Sequence, residues 1–498
     1  MNILDLISNL GKWSAVHPEY LWWTLGAAGG IVALSSLVSR RRKNLTTHGS
    51  ARWATRREVR RAGLYAQQGI VLGRDGDLLR HNGPEHVLLI GPTRSGKGVG
   101  IIVPTLLDWQ ESVIVLDPKD GENYDITAAW RKGMSNVYAF TPCRSPHTRI
   151  NVLDVIRQGT PHEVGDAQLI AQSLTAPGKL QGENSTSVHF RELATLLLTA
   201  AILHVAHVGK RKSLPGVWEF LTQQQTSLAA VLRVMGTTSY ASAEVGLAIT
   251  SMTTALRNIA GDRELSSVWS TAIRPLVLYN DPLVAQSTDM SDFDIEALQY
   301  GPKPVSLYLI APSPMALERL HPAYRVILDV VAERLMEHKV RTWNYRLLYV
   351  LDELPWHGYS RSIDKGIAVM GGYGMKSLVV TQDLSALLEV YGDHTAIFGN
   401  CQVKVIHAPD NDLTAKRISE TILGAGTIES TSNSASYGER PNQSRTTAPI
   451  RRPLMTPDEV MELPATQEII RISGHKPILA QKIDYRQERE WNFRWATL

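Results

Sequence analysis

Cysteine is nearly absent from this chain: two occur in 498 residues, Cys143 and Cys401, too few for a disulfide framework. Both lie in apolar stretches, where a thiol reads as a small buried side chain, and the bulk of the chain is therefore expected in a reducing compartment. Excess charge of one sign is also lacking. A net charge of +4 makes no case for nucleic acid by itself, although positive residues cluster near the start. No repeat or heptad array occurs, which argues against solenoids and coiled coils. What is present, 43% hydrophobic and 20% charged residues, is ordinary globular composition, with length for two or three domains.

Long uncharged runs are rare, and the one at residues 20–38 has membrane length. At about 1.5 Å per residue it covers about 30 Å, one bilayer core. It opens with Trp22 and Trp23, suited to an interface belt, and stops at Arg40-Arg-Arg-Lys43. The positive-inside rule then puts residues 1–19 outside and the rest in the cytoplasm. A cleaved signal peptide is the weaker reading, because the charges follow the apolar run instead of preceding it. Ile3, Leu4, Ile7 and Leu10 share one helical face, as in a short interfacial helix or a frayed terminus. The segment 39–70 is basic, and Arg52–Arg61 within it reads as a helix facing anionic headgroups, with DNA as the alternative. A second apolar run, Leu193–Val208, is short and carries His204 and His207. It reads as a buried core helix; no acidic or cysteine ligands accompany the histidines to make a metal site.

Short β-branched runs recur at Val87–Ile90, Val113–Leu116, Val305–Ile310, Leu347–Leu351, Leu378–Val380 and Val403–Ile406. Hydrophobic throughout, they predict a parallel sheet buried on both faces. Helical patterns such as Tyr324–Lys339 separate them, giving an α/β architecture. From about 165 to 298 the strand signal vanishes, and segments such as Ala241–Ala260 and Glu264–Tyr279 read as helices. The expected organisation is a nucleotide-binding domain from 71–164 and 299–498, interrupted by an all-α domain at 165–298. Residues 427–447, rich in Ser, Thr and Asn, read as a surface loop. Thr456-Pro-Asp-Glu459 carries the signature of a capping box opening a short helix that Pro464 ends.

The chemistry centres on Gly91-Pro-Thr93-Arg94-Ser95-Gly96-Lys97-Gly98-Val99-Gly100, directly after an apolar strand. Glycines there turn the chain off a sheet edge and aim backbone N–H groups at one point, a nest for phosphate oxygens, while Lys97 neutralises the outer phosphates. Gly98 stands where such loops carry the serine or threonine hydroxyl that binds metal. Leu347–Leu351 ends in Asp352-Glu353: Asp352 is placed to hold Mg²⁺ through water and Glu353 to orient or deprotonate the attacking water. The alternative is a solvated strand end capping a helix. Ser377–Thr381 ends in Gln382, a sensor of the γ-phosphate if this strand lies beside the Asp352 strand, and otherwise a surface amide. Asp117-Pro-Lys119-Asp-Gly-Glu122 either lines the same cleft or caps the next helix.

With these residues in view the chain resembles the type IV secretion coupling proteins of conjugation. The matching segments run in order from about residue 45: His48-Gly-Ser-Ala-Arg-Trp-Ala54, the loop at 91–100 with Pro104-Thr-Leu-Leu107, Leu351-Asp-Glu-Leu-Pro355, Gly372-Tyr-Gly374, Gly399-Asn-Cys401, Ala415-Lys-Arg-Ile-Ser419 and Leu454-Met-Thr-Pro-Asp-Glu-Val460. The resemblance implies a RecA-like P-loop ATPase with an all-α insertion and an N-terminal transmembrane helix. It implies a homo-hexamer in the bacterial inner membrane that hands a relaxase-bound single strand of DNA, or protein effectors, to the channel subunits. Carried over by position, Lys97 binds phosphate, Asp352 serves Mg²⁺, Glu353 activates water and Gln382 is the sensor of bound ATP.

The chain departs from that pattern in three places. It has one convincing span where most relatives have two, and Asp120 interrupts a motif usually written Asp-x-Lys-Gly-Glu. It also offers no arginine in Met370–Gly374, which leaves Arg361 or Arg417 as candidates to bridge subunits. A coupling protein for effectors only, and a nucleotide-gated scaffold without turnover, are the alternative functions.

Overall fold

The computed structural model describes residues 49–144, 148–177, 184–223, 227–259, 261–337, 342–436, 442–491 and 494. The expected interfacial helix and membrane span lie outside them. Within them the strands are β1 (Ile70–Asp75), β2 (Asp77–His81), β3 (Val87–Ile90), β4 (Ser112–Asp117), β5 (Asn136–Phe140), β6 (Val305–Ile310), β7 (Leu347–Leu351), β8 (Met375–Thr381), β9 (Val403–Ile406), β10 (Ala425–Ser436), β11 (Asn442–Pro453), β12 (Gln467–Ile472) and β13 (Ile478–Gln481).

Eleven of these form one sheet in the order β2-β1-β13-β12-β9-β3-β8-β7-β4-β6-β5. From β9 to β5 every neighbouring pair is parallel, whereas β2, β1, β13 and β12 extend the β9 side antiparallel. The six runs expected to pair in parallel do so, and the antiparallel extension makes the sheet as a whole a mixed one. The six runs read from sequence are central and apolar on both faces. Strands of the antiparallel extension carry polar residues, as in Arg74, Glu468, Arg471 and Gln481, and so lack the unbroken apolar signature.

Alternate residues of the central strands feed two cores. Leu88, Ile90, Ile114, Leu116, Leu347 and Tyr349 join the core formed with the helices Glu163–Thr175, Ser185–Val208 and Pro314–Met336. Val87, Leu89, Val113, Val115, Leu348 and Val350 face the other way, with Ile101, Ile102 and Leu106 of the helix that follows the 91–97 loop. Arg131, fully buried, pins that second layer by donating to Ser306 Oγ (2.7 Å) and to the carbonyls of Leu106 (2.9 Å), Trp109 (2.7 Å) and Glu111 (2.7 Å).

Between β5 and β6 the described residues contain helices and no strand. Ser185–Val208 is long and apolar enough to cross a membrane by composition, yet 61% of its most apolar window is buried within the protein. His204 bonds the Tyr240 hydroxyl (2.7 Å) and His207 bonds Glu163 (2.5 Å), so both are satisfied core histidines. No metal-ligand cluster occurs among the described residues.

The chain divides into two compact units, one comprising Arg52–Gly424 with Leu454–Leu498, the other the chain up to Ala51 with Ala425–Pro453. The second corrects the expectation of a surface loop at 427–447: residues 427–436 and 442–447 lie in two paired strands, β10 pairing antiparallel with β11 from Ala425↔Pro453 to Ser436↔Asn442. Backbone pairing defines these strands, and their polar composition hides the period-2 pattern that identifies a half-buried strand. The capping box at Thr456 is formed, with its side chain accepting from the Glu459 N–H and Glu459 accepting from the Thr456 N–H.

Candidate nucleotide site

Strands β9, β3, β8, β7 and β4 are consecutive in the sheet, so their C-terminal ends form one edge, where ligands of open parallel sheets bind. Each end delivers a polar segment: 91–97 after β3, Gln382 after β8, Asp352-Glu353 after β7, 117–122 at β4 and His407 after β9. The non-glycine residues with left-handed backbone among the described residues are Arg94 (φ 63°), Asp120 (φ 59°) and Glu353 (φ 51°). All three sit on this edge. Such conformations are held only where the surroundings over-determine them, and they concentrate at functional sites.

The loop after β3 closes on itself through Lys97, whose Nζ donates to the carbonyls of Gly91 (2.6 Å) and Pro92 (3.2 Å). Gly96 takes φ 95°, a conformation that favours glycine. A Cβ at Gly91 would sit 2.8 Å from Ser95 Oγ and 2.9 Å from His407 Cβ; glycine is what allows that approach. A Cβ at Gly98 would meet nothing within 4 Å. Thr93 and Arg94 are exposed, Ser95, Gly96, Gly98 and Val99 half-buried, and Lys97 buried.

β3 and β7 are separated by β8, about 10 Å apart across two strand spacings. Lys97 nevertheless reaches Glu353 Oε1 at 3.1 Å, and both side chains are buried. Burial raises the Glu353 pKa, with Lys97 opposing and Asp352 reinforcing the rise. Asp352, 2% exposed, receives Lys119 Nζ at 3.5 Å on Oδ2, while its Oδ1 is buried with no hydrogen-bond partner. Lys119 is held above the ordinary lysine value by Asp352, Glu353 and Glu122, although burial, the largest single effect, works against it. The segment after β4 therefore does both things left open by the sequence: Lys119 lines the cleft, and Asp117 Oδ2 accepts from the Tyr124 N–H (3.0 Å) at the start of the next helix. Burial pushes Asp117 up to about 7. Asp120 turns outward to pair with Arg144 at 2.5 Å.

Gln382 is half-buried, just past β8, which does lie beside β7, and the Thr381 carbonyl before it accepts from the Gly91 N–H (3.1 Å). Arg361 is bonded to Gln172 (2.8 Å) and Arg417 lies over the Phe398 ring. Elsewhere a cavity of about 1410 Å³ is lined by both signs of charge, including Arg157, Asp166, Arg191, Glu333 and Lys365, and includes none of the phosphate-loop residues. His407 and Glu468, described below, were not singled out by sequence. Their one sequence-level signal is position: His407 follows Val403–Ile406 immediately, a polar residue at the end of a buried strand.

The sequence and the fold match known proteins. The family described as type IV secretory system conjugative DNA transfer matches residues 41–493. Conjugal transfer protein TraG of Escherichia coli is 33% identical, over 92% of this chain and 79% of its own length. VirD4 of Agrobacterium fabrum is 30% identical, over 92% of this chain and 69% of its own length. The solved structure of plasmid coupling protein TrwB in complex with ADP and Mg²⁺ superposes with a TM-score of 0.65 at 18% identity, covering 86% of this chain and 91% of that one. That likeness shows a shared fold, built on the mixed, largely parallel α/β sheet described above.

Proposed function

The chain belongs to the type IV secretory conjugative DNA transfer family and is a coupling protein for DNA transfer in type IV secretion; from that premise we propose that it is a hexameric, ATP-hydrolysing motor anchored in the bacterial inner membrane. Its cargo is a relaxase-bound single DNA strand passed to the channel subunits. The helices of 165–298 act as the inserted recruitment domain, and residues 20–38 as a single-pass anchor. Strand binding by such a motor is electrostatic and salt-sensitive.

The observation that carries the ATPase reading is the buried Lys97–Glu353 pair at 3.1 Å beside the bare Asp352 oxygen. Phosphate oxygens of an entering nucleotide compete for Lys97, and Glu353 is then released from its ion pair. Its pKa, raised by burial, makes it a better proton acceptor for the attacking water than an exposed carboxylate. Gly91–Val99 supply the amide cradle, and Gln382 reports whether the γ-phosphate is present. The site fits a divalent ion: Asp352 has an unpartnered carboxylate oxygen, and TrwB was solved with ADP and Mg²⁺. Asp352 would hold Mg²⁺ through water, and the bound ion would neutralise phosphate charge.

ATPase activity of the full-length hexamer, stimulated by single-stranded DNA, tests the motor. Lys97→Ala and Glu353→Gln are each expected to reduce turnover by at least 10²-fold, Glu353→Gln while retaining nucleotide binding. A confirmed hexamer that binds ATP without hydrolysing it would instead support a nucleotide-gated scaffold, the reading that Gly98 favours by supplying no hydroxyl.

A further inference from the structure

A second polar array lies behind the phosphate loop. Ser95 Oγ is 3.1 Å from His407 Nδ1, and His407 Nε2 is 3.1 Å from Glu468 Oε2. His407 and Glu468 are each 1% exposed. Lys482 Nζ, just past β13, donates to the Ser95 carbonyl at 2.9 Å. Three separate parts of the chain, the ends of β9 and β13 and the start of β12, thus converge on one residue of the loop. Glu468 Oε1 has no partner and lies against Gly73, where a Cβ would sit 2.0 Å from it. A buried carboxyl with a bare oxygen opposes folding. Such a group calls for a role at the end of its hydrogen-bond chain, and that end is the Ser95 hydroxyl.

We propose that His407 is a positioning residue for the nucleotide site: held by Glu468, it donates from Nδ1 to Ser95 Oγ and so commits the Ser95 hydrogen to a phosphate oxygen of the bound nucleotide. This rests on the nucleotide-binding reading above. The direction follows from counting protons. Burial pushes His407 down to about 3, helped by Lys482 and Lys97 and opposed by the Ser95 backbone, and lifts Glu468 well above the carboxylate range, with Lys482 opposing. A neutral acid therefore faces a neutral imidazole. The arrangement that satisfies most groups has the Glu468 O–H donating to Nε2, which leaves the imidazole hydrogen on Nδ1, aimed at Ser95. If the proton instead crosses to Nε2, Nδ1 keeps its hydrogen and the direction at Ser95 is unchanged. Ser95 already accepts one hydrogen bond, and its own hydrogen is left for an acceptor brought by the ligand. Gly91, whose missing Cβ lets His407 approach, completes the arrangement.

ADP affinity and melting temperature of the full chain, measured in parallel, test this. Ser95→Ala and His407→Leu should each weaken ADP binding on the order of tenfold, the worth of one hydrogen bond to a charged acceptor. The double variant should be no weaker than the worse single one, because both remove the same interaction. His407→Asn, which can still donate near the Nδ1 position, should recover most of the affinity, and Glu468→Gln, an isostere of the neutral acid, should stay near wild type. Unchanged affinity in Ser95→Ala overturns the proposal even if His407→Leu does not fold. So does an additive double variant, or a His407→Leu protein that melts lower yet binds ADP normally. Wild-type protein that binds no ADP removes the nucleotide reading itself, a separable failure.

Discussion

A serine at position 98 enters open space, since nothing lies within 4 Å of its Cβ. Helical glycine costs up to about 1 kcal/mol relative to better helix formers, so Gly98→Ser should leave the melting temperature unchanged or slightly raised. Its hydroxyl would supply the metal contact that the loop lacks. The Mg²⁺ concentration for half-maximal nucleotide binding should accordingly fall several-fold; an unchanged requirement would mean that position 98 does not face the ion. At this scale the sequence was informative where chemistry is local: Lys97 and the Asp352-Glu353 pair do meet, as strand-end motifs on one edge. Gln382 reaches the same edge through its strand, and no side-chain hydrogen bond joins it to the loop among those described. His407 and Glu468 were illegible for a physical reason. Their partnership with Ser95 spans 312 and more residues, and a lone histidine after an apolar run has no periodicity or spacing to mark it.

At the scale of elements, the same sheet has a charged group buried at its opposite edge. Lys376, at the start of β8 and 3% exposed, donates to the carbonyls of His81 and Gly83, both at 2.8 Å, and touches His81 Nδ1. Burial, aided by Arg346, lowers it from 10.5 to about 7. Between those values the unfolded chain binds more protons than the folded one, so this group's contribution to stability rises with pH from about 7 towards 10.5, and its penalty is full below 7. Wild type should therefore gain on Lys376→Met between pH 7 and pH 9 in urea unfolding of the detergent-solubilised chain. An identical difference at both pH values would show that the ammonium is not desolvated. Elements were read unevenly for a related reason. Strands buried on both faces declare themselves by composition; β1, β2 and β12 carry polar residues that pair with side chains elsewhere, as Arg74 does with Glu488 and Arg80 with Asp108, or, like Glu468, reach the array behind the phosphate loop.

For the whole molecule, the hairpin β10–β11 poses the sharpest question of what holds the protein together. The hydrophobic clusters among the described residues are made of residues from the unit of Arg52–Gly424 and Leu454–Leu498. Its chain ends on either side of the hairpin are already joined, the Gly424 carbonyl accepting from the Leu454 N–H at 2.9 Å. A two-stranded hairpin is at best marginally stable alone in water, so its ordering cannot be a large source of stability for the rest. Replacing residues 426–452 by two glycines should then leave the melting temperature within about 2 °C, a shift that corresponds to about 2 kcal/mol in a chain this long. ADP affinity should be equally unaffected, because Ser95, Lys97, Asp352 and Glu353 all belong to the retained unit. A large drop in either quantity would show that the sheet's nucleotide edge depends on the hairpin. Retained binding with lost DNA transfer would place the hairpin's work in the assembled channel, outside the motor's own fold.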